Sequence, residues 1–261
     1  MRRRERGAGG RVQLPRAGFD LGQIRAAAGA VSDASSIAGS NMSLLDLEAV
    51  RAAPLTREPF TFALVANAIR PGDAAAIRDD FPAILDSGLL PVEATQHGQK
   101  FAELIAELRG EPFARALSEK FGVSLVGRPQ MITVRGRCAA KDGRIHTDTE
   151  TKLITVLIYF NDLWEAKGGR LRLLRSPTDL NDMIGEVSPE LGAMVAFRRS
   201  DKSYHGHDPF EGVRRYVMIN WMTSDAAARR ELFRHRVSAR AKFALSLLKP
   251  RSARKAGGAR A

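Results

Sequence analysis

Runs of apolar residues divide the chain into short predicted strands, most of them in its second half. The run 153–160 is continuous in aliphatic, β-branched and aromatic side chains, which is typical of a strand buried on both faces. Thr155, Leu157 and Tyr159 share one face of it because side chains alternate along a strand. Other strands are predicted, each bounded by Gly, Pro or Asn-Asp turns, at 60–67, 131–137, 170–173, 193–197 and 215–221.

Helical periodicity lies before and after these strands. Apolar residues at 101, 104, 105 and 108 recur at i, i+3, i+4 and i+7, which predicts an amphipathic helix packed on a sheet. A shorter helix is predicted from Ala74, capped by Asp73 and ended near Phe81 by Pro82. A brief helix is expected over 44–50, and a helical stripe follows Trp221. Many short strands with Gly and Pro turns favour a sandwich or barrel with flanking helices.

Candidate chemistry begins with the phrase Ile145-His146-Thr147-Asp148. If this phrase is extended, His146 and Asp148 project from the same side, about 7 Å apart. A nitrogen and a carboxylate oxygen from one strand, with a second nitrogen from elsewhere, form the facial triad of non-haem iron(II) sites. The pattern therefore indicates half of a metal site.

A second histidine cluster, Ser203-Tyr204-His205-Gly206-His207, precedes a Pro-Phe-Glu-Gly turn and the strand 215–221. His205 and His207 have the same strand parity, so either can supply the second nitrogen. A hairpin centred near Phe210 would place His205 opposite Arg215. A guanidinium grips a carboxylate in bidentate fashion, so the layout suits a small dicarboxylate held between metal and arginine. Arg214 and Arg215 point to opposite faces, and parity does not choose between them.

The order of these motifs resembles the prolyl-4-hydroxylase-like branch of the 2-oxoglutarate and iron(II)-dependent dioxygenases. The order is H-x-D, a strand ending Leu-Ile-Tyr-Phe-Asn, Gly-Gly-x-Leu-x-Leu, Gly-x-x-Val-x-Phe, His-x-x-x-Pro, and Arg-Tyr before a strand ending in Trp. The resemblance covers about residues 57 to 223, with the specific motifs in 144 to 221. It implies a double-stranded β-helix, a jelly-roll barrel supported by N-terminal helices.

The resemblance also implies roles for individual residues. His146, Asp148 and His205 correspond to the iron ligands, with His207 as the alternative to His205. Arg215 corresponds to the residue that binds the far carboxylate of 2-oxoglutarate, with Arg214 as its alternative, and Tyr159 and Thr155 would line the same pocket. The implied cofactors are Fe(II), 2-oxoglutarate and O₂, and the family leaves room for ascorbate as a reductant. The implied reaction hydroxylates an unactivated C–H bond of a peptidyl side chain or a small molecule.

The overall composition is typical of a soluble globular protein, whereas both ends of the chain are strongly basic. The chain has 261 residues, 44% hydrophobic and 27% charged, with one cysteine and a net charge of +12. Residues 1–11 hold five Arg and one Glu, and residues 226–261 hold eleven Lys or Arg and one Glu. No segment resembles a signal core or a membrane span, so a cytoplasmic location is predicted. Basic ends of this kind are usually solvated tails, and their alternative role is contact with nucleic acid or an anionic membrane.

Three regions follow from these patterns. Residues 1–54 are predicted to form a low-complexity lead-in with a basic start, residues 55–225 the dioxygenase domain, and residues 226–261 a basic helical tail. Two alternatives to the enzyme remain. One is a non-catalytic jelly-roll metal-binding protein whose basic tails bind nucleic acid or an anionic surface. The other is a cupin-type enzyme with another metal, which would not need Arg215.

Overall fold

The computed structural model describes residues 43–234 of the chain. Its helices are α1 (Leu47–Ala52), α2 (Pro71–Asp79), α3 (Gln99–Arg109) and α4 (Glu111–Phe121), with a 3₁₀ turn at Val92–Ala94. Residues 225–234 are also helical. The strands are β1 (Leu55–Thr56), β2 (Phe62–Val65), β3 (Leu90–Pro91), β4 (Gln130–Cys138), β5 (Lys152–Tyr159), β6 (Leu171–Leu174), β7 (Met183–Val187), β8 (Met194–Arg198), β9 (His205–Gly206) and β10 (Gly212–Met222).

The strands form two antiparallel sheets that face each other. The larger has the order β1-β2-β8-β5-β10-β4-β3, and the smaller has the order β7-β6-β9. A backbone bridge between His146 and His205 adds the His146 segment beside β9. From β4 onwards the chain therefore crosses repeatedly between the two sheets, with β6 and β7 as a consecutive pair in the smaller one, which is the winding of a jelly roll. The fold is the predicted double-stranded β-helix, mainly β with flanking helices.

The larger sheet is buried on both faces, as the apolar run of β5 predicted. Ile154, Val156 and Ile158 pack into the cluster that includes the helices, whereas Leu157 and Tyr159 pack into the barrel interior. Thr155, which shares the face of these last two, is also buried. One face of β5 therefore anchors the sheet on the helices, and the other supplies side chains to the barrel.

The helices support the sheet from its outer face. In α3 all four predicted positions, 101, 104, 105 and 108, are buried in the core. The predicted cap at Asp73 is wrong, because α2 begins at Pro71 with Arg70 as its N-cap residue. Proline suits the first turn of a helix, where its missing N–H would have no partner. Helix α4 was not predicted, although it also buries an apolar stripe that includes Phe113 and Leu117.

The packed structure extends past both predicted boundaries of the domain. Leu44, Leu45 and Val50 belong to the main core, so the core begins before residue 55. At the other end, Ala227 and Ala228 pack with Met131 and Met222. The predicted lead-in up to residue 42 and the predicted tail from residue 235 lie outside the described residues. Within residues 43–234, the helices are too short or too polar to cross a bilayer.

Candidate metal centre and its cavity

The fold brings together His146, Asp148 and His205. Their potential ligand atoms all lie within 4.8 Å of one another. The backbone N–H of His146 donates to the carbonyl of His205 at 3.1 Å, and that of His205 donates to the carbonyl of His146 at 3.0 Å. This reciprocal bridge sets the two imidazoles side by side, with ring centroids 4.3 Å apart. Asp148 and His205 are buried, and His146 is exposed at the mouth.

Backbone carbonyls orient both imidazoles for metal binding. Nδ1 of His146 lies 2.8 Å from the carbonyl oxygen of Arg144, and Nδ1 of His205 lies 3.0 Å from that of Ser203. A carbonyl only accepts, so each Nδ1 carries the proton and each Nε2 keeps its lone pair. Burial also lowers the pKa of His205 to about 4. His205 is therefore neutral near pH 7, the state in which imidazole ligates a metal.

A network of hydrogen bonds fixes the Asp148 carboxylate. The Thr155 hydroxyl donates to Oδ2 at 2.5 Å, and the Lys152 ammonium lies 2.6 Å from Oδ1. Oδ1 of Asn220 lies 2.9 Å from the same hydroxyl, and Nδ2 of this amide has no hydrogen-bond partner. Thr155 has one hydroxyl proton, so it donates to the carboxylate and accepts from Asn220 when Nδ2 of the amide faces it. Burial alone would raise the pKa of Asp148, but the charge of Lys152, then His205, lowers it to about 2.

These three residues line a cavity of about 210 Å³ between the sheets. The Arg214 guanidinium, 2% exposed, lines the same cavity. Its Nε donates to the carbonyl of Gly169 at 2.7 Å, and its Nη2 donates to the Tyr159 hydroxyl at 3.3 Å. Tyr159 is fully buried and contacts Arg214 rather than lining the cavity. One cavity thus combines a potential metal site with a rigidly held cation.

The structure places Arg214 at this cavity and Arg215 outside it, and the hairpin expected between the segments of His205 and Arg215 does not form. β9 pairs with β6 of the smaller sheet, whereas β10 lies in the larger sheet. The register of β10 on β4 also shifts between Val213 and Tyr216, which is the signature of a bulge. Side chains nevertheless alternate regularly along β10, so Arg214 shares the cavity face with Tyr216, and Arg215 lines a separate cleft with Arg78 and Arg137. The Asn161 side chain accepts from the backbone N–H of Arg215 at 2.7 Å and holds this turn.

His207 lines the cavity but stands outside the triad. Its Nδ1 lies 2.8 Å from the carbonyl oxygen of Asp208, and burial, with the nearby charge of Arg214, lowers its pKa to about 4. The loop at Gly143 passes so close that a Cβ there would lie 2.4 Å from Nδ1 of His207. Gly143 also has φ +93°, so both the close approach of His207 and the backbone conformation favour glycine at this position.

Three further charged residues line the cavity and were not predicted from the sequence: Lys152, Arg135 and Asp142. Lys152 pairs with Asp148, and Arg135 forms an ion pair with Asp142 at 2.5 Å. The guanidinium carbons of Arg135 and Arg214 lie 5.9 and 5.1 Å from the centroid of the Tyr216 ring. Arg135 could have been recognised because it stands on a strand among apolar residues. Lys152 carried no such signal, since it follows a polar turn.

The donor set fits a divalent iron. Two imidazoles and one carboxylate offer the nitrogen and oxygen ligands of the facial triad, which leaves coordination positions open to other ligands. Each ligand is oriented by a further hydrogen bond, which each imidazole donates to a backbone carbonyl and which Thr155 donates to the carboxylate, as is typical of metal ligands in proteins. The site would therefore hold Fe(II) through His146, Asp148 and His205.

Comparison with known proteins adds a family to this geometry. Residues 137–223 match the family model described as the 2OG-Fe(II) oxygenase superfamily. This segment contains the triad, Thr155, Tyr159 and Arg214. No curated protein matches the chain significantly.

Several solved structures resemble the fold at low identity. A Pseudomonas putida prolyl-4-hydroxylase is 15% identical, with 67% of this chain and 96% of that chain covered and a TM-score of 0.45. A Trichoplax adhaerens prolyl hydroxylase, in complex with a hypoxia inducible factor peptide fragment, is 14% identical over 64% and 86% of the two chains, with a TM-score of 0.44. The viral collagen prolyl hydroxylase of Paramecium Bursaria Chlorella virus-1 is 11% identical, with 62% of this chain and 95% of that chain covered and a TM-score of 0.43. The fold assignment rests on the strand order rather than on these similarities.

Proposed function

We propose a specific reaction for this protein, supported by the match of residues 137–223 to the 2OG-Fe(II) oxygenase superfamily. The protein is a 2-oxoglutarate-dependent dioxygenase that hydroxylates an unactivated C–H bond. In each turnover 2-oxoglutarate loses CO₂ and becomes succinate, which takes up one oxygen atom of O₂, and the other oxygen atom becomes the hydroxyl group of the product. The substrate is a peptidyl side chain such as proline, or a small molecule.

One observation carries this proposal. The triad of His146, Asp148 and His205 opens into the same cavity as the buried Arg214 guanidinium. 2-Oxoglutarate has a keto acid at one end and a carboxylate at the other, so it requires a metal and a cation in one small space. A cavity of about 210 Å³ is below the range of roughly 300–1,000 Å³ for drug-sized ligands. It suits a cosubstrate of five carbons, with the primary substrate at the mouth.

The residues around the cavity bind 2-oxoglutarate, orient a metal ligand and exclude water. Arg214 pairs with the far carboxylate, and its hydrogen bonds to Gly169 and Tyr159 hold the guanidinium in place before the ligand arrives, which lowers the ordering cost of binding. Thr155 orients Asp148. The apolar walls, including Leu157, Leu171 and Met218, exclude water from the reacting centre.

When bound, Fe(II) supplies the activation of O₂, and the protein supplies position and a dry environment. The exposed edge of His146 marks the side from which a substrate can approach, since Asp148 and His205 are buried. Ascorbate as a reductant, the cytoplasmic location and contact of the basic ends with nucleic acid or a membrane stay predictions.

The test is an anaerobic titration of the apoprotein with Fe(II) and then 2-oxoglutarate. We expect a weak visible charge-transfer band on addition of 2-oxoglutarate, and its loss with formation of succinate when O₂ is admitted. Asp148→Ala is the matched control and should show neither. Succinate formed by this variant at the wild-type rate would contradict the assignment of Asp148 as a metal ligand. If the wild type binds iron but shows no band with 2-oxoglutarate, 2-oxoglutarate is not the cosubstrate.

A further inference from the structure

The Asp148 carboxylate already has a cation in contact with it, and that cation belongs to the protein. Lys152 and Asp148 form an ion pair of 2.6 Å, with side chains only 10% and 8% exposed. Within residues 43–234, Lys152 forms no second ion pair. Its charge is therefore balanced in this pocket by the same carboxylate that belongs to the triad.

Local backbone structure makes this contact specific. The N–H of Lys152 donates to the carbonyl of Thr149 at 3.1 Å and closes a turn. This turn sets residue 152 at the first position of β5, directly beside Asp148. Lys152 also lines the cavity next to His146 and His205. Its position is thus built into the connection between the triad segment and β5.

Two cations next to one buried carboxylate oppose each other. A divalent ion held by Asp148, His146 and His205 would lie close to the Lys152 ammonium, and charges inside a protein are screened less than in water. The ion must share the carboxylate with the ammonium or displace it from Oδ1. In both cases part of the attraction between Asp148 and the metal is lost.

We propose that Lys152 is an internal competitor of the metal, which lowers the affinity of the triad for a divalent cation. This inference rests on the metal site of the proposed function. Lys152 acts on the metal through Asp148 and is a tuning residue rather than a ligand. Asp148 keeps its orientation without Lys152, because Thr155 holds Oδ2 and the Arg199 side chain donates to its backbone carbonyl at 3.3 Å.

The test measures metal affinity rather than turnover. Apoprotein is titrated calorimetrically with Mn(II), which uses the same nitrogen and oxygen ligands as Fe(II) and is stable in air. Lys152→Met removes the charge and keeps the aliphatic stem, and we expect Mn(II) to bind about tenfold more tightly. Lys152→Arg retains the charge and should bind like the wild type. Lys167→Met, at an exposed lysine outside the cavity, should also leave the affinity unchanged.

Thermal stability provides a second readout. Without its partner, the buried Asp148 charge destabilises the metal-free Lys152→Met protein, so its Tm should fall and should rise further on saturation with Mn(II) than that of the wild type. Lys152→Gln retains a hydrogen-bond donor without the charge, and it replaces the Met variant if that protein does not fold. It should likewise bind Mn(II) more tightly.

The outcomes separate the inference from the function beneath it. Equal or weaker Mn(II) binding by both uncharged variants would overturn the role of Lys152 and leave the metal site intact. No binding by the wild type or by any variant would overturn the metal site itself, and the inference with it. Tighter binding by Lys152→Arg as well would also overturn the inference, because the charge would then not be the cause.

Discussion

The Arg214 guanidinium donates a hydrogen bond of 3.3 Å to the Tyr159 hydroxyl and lies over the Tyr159 ring, 5.3 Å from its centroid. Both side chains are fully buried, on neighbouring antiparallel strands of the larger sheet. The Arg214 guanidinium is therefore held in place by a residue that does not itself line the cavity. This pairing makes the roles of the two residues separable by mutation.

Arg214→Met should weaken 2-oxoglutarate binding about 100-fold, because a buried carboxylate loses its charged partner. Arg215→Met is the matched control and should leave this affinity unchanged, since Arg215 lines the other cleft. The measurement is calorimetric titration of the Mn(II)-loaded proteins with 2-oxoglutarate. A larger loss in the Arg215 variant would restore the preference drawn from the sequence.

Tyr159→Phe should weaken 2-oxoglutarate binding by only about fivefold, since it removes one hydrogen bond to Arg214 and keeps the ring. The substitution should also change how the free energy of unfolding depends on pH in the alkaline range. Burial raises the pKa of Tyr159 to about 12, so the unfolded chain loses this proton first, and folding weakens as pH rises from about 10 to 12. Urea unfolding across this range should show a shallower decline for the Phe variant, and identical slopes would contradict the assignment.

His205→Gln should lower Mn(II) affinity by at least about 100-fold, because it removes a ligand whose tautomer is already set for coordination. His207→Gln should retain affinity close to that of the wild type, although both histidines are buried in the same cavity. Titration of the two variants side by side distinguishes the alternatives that strand parity left open. Loss of binding in the His207 variant alone would reverse the choice.

Thr155→Val should lower Mn(II) affinity by about tenfold, since Asp148 loses the hydroxyl that orients Oδ2. The variant should also lose about 1–3 kcal/mol of stability, because the buried Asn220 amide is left without its partner. Thr149→Val, at an exposed threonine of the adjacent turn, controls for the substitution itself. Metal titration and urea unfolding measure the two effects, and equal results for both variants would refute the network.

Gly143→Ala should destabilise the fold more than Gly127→Ala. Both glycines have positive φ, +93° and +74°, so a Cβ added at either position destabilises the folded state by about 1 kcal/mol through backbone strain. Only at Gly143 does the Cβ meet a neighbour, Nδ1 of His207 at 2.4 Å, whereas none lies within 4 Å at Gly127. We expect an excess cost of about 1–3 kcal/mol by urea unfolding. Equal costs would show that the loop moves away freely.

The sequence by itself determined those features that depend on local periodicity. The apolar run of β5 predicted a strand buried on both faces, and the stripe at 101–108 predicted a helix on a sheet, since burial imposes a period of two on strands and 3.6 on helices. The spacing of His146 and Asp148 placed two potential ligands in one short segment. Each of these patterns extends over only a few residues, so it can be recognised without knowledge of the fold.

Only the tertiary structure decided which distant residues share the cavity. The hairpin expected between His205 and Arg215 fails because the chain crosses from the smaller sheet to the larger one between them. Alternation along β10 puts Arg214 on the same face as Tyr216 and Met218, but which face of the strand points into the cavity depends on the sheet that the strand joins. The pairing of Lys152 with Asp148 likewise depends on how a turn meets β5. Local sequence therefore specified the elements, and long-range strand pairing decided which charges face the metal.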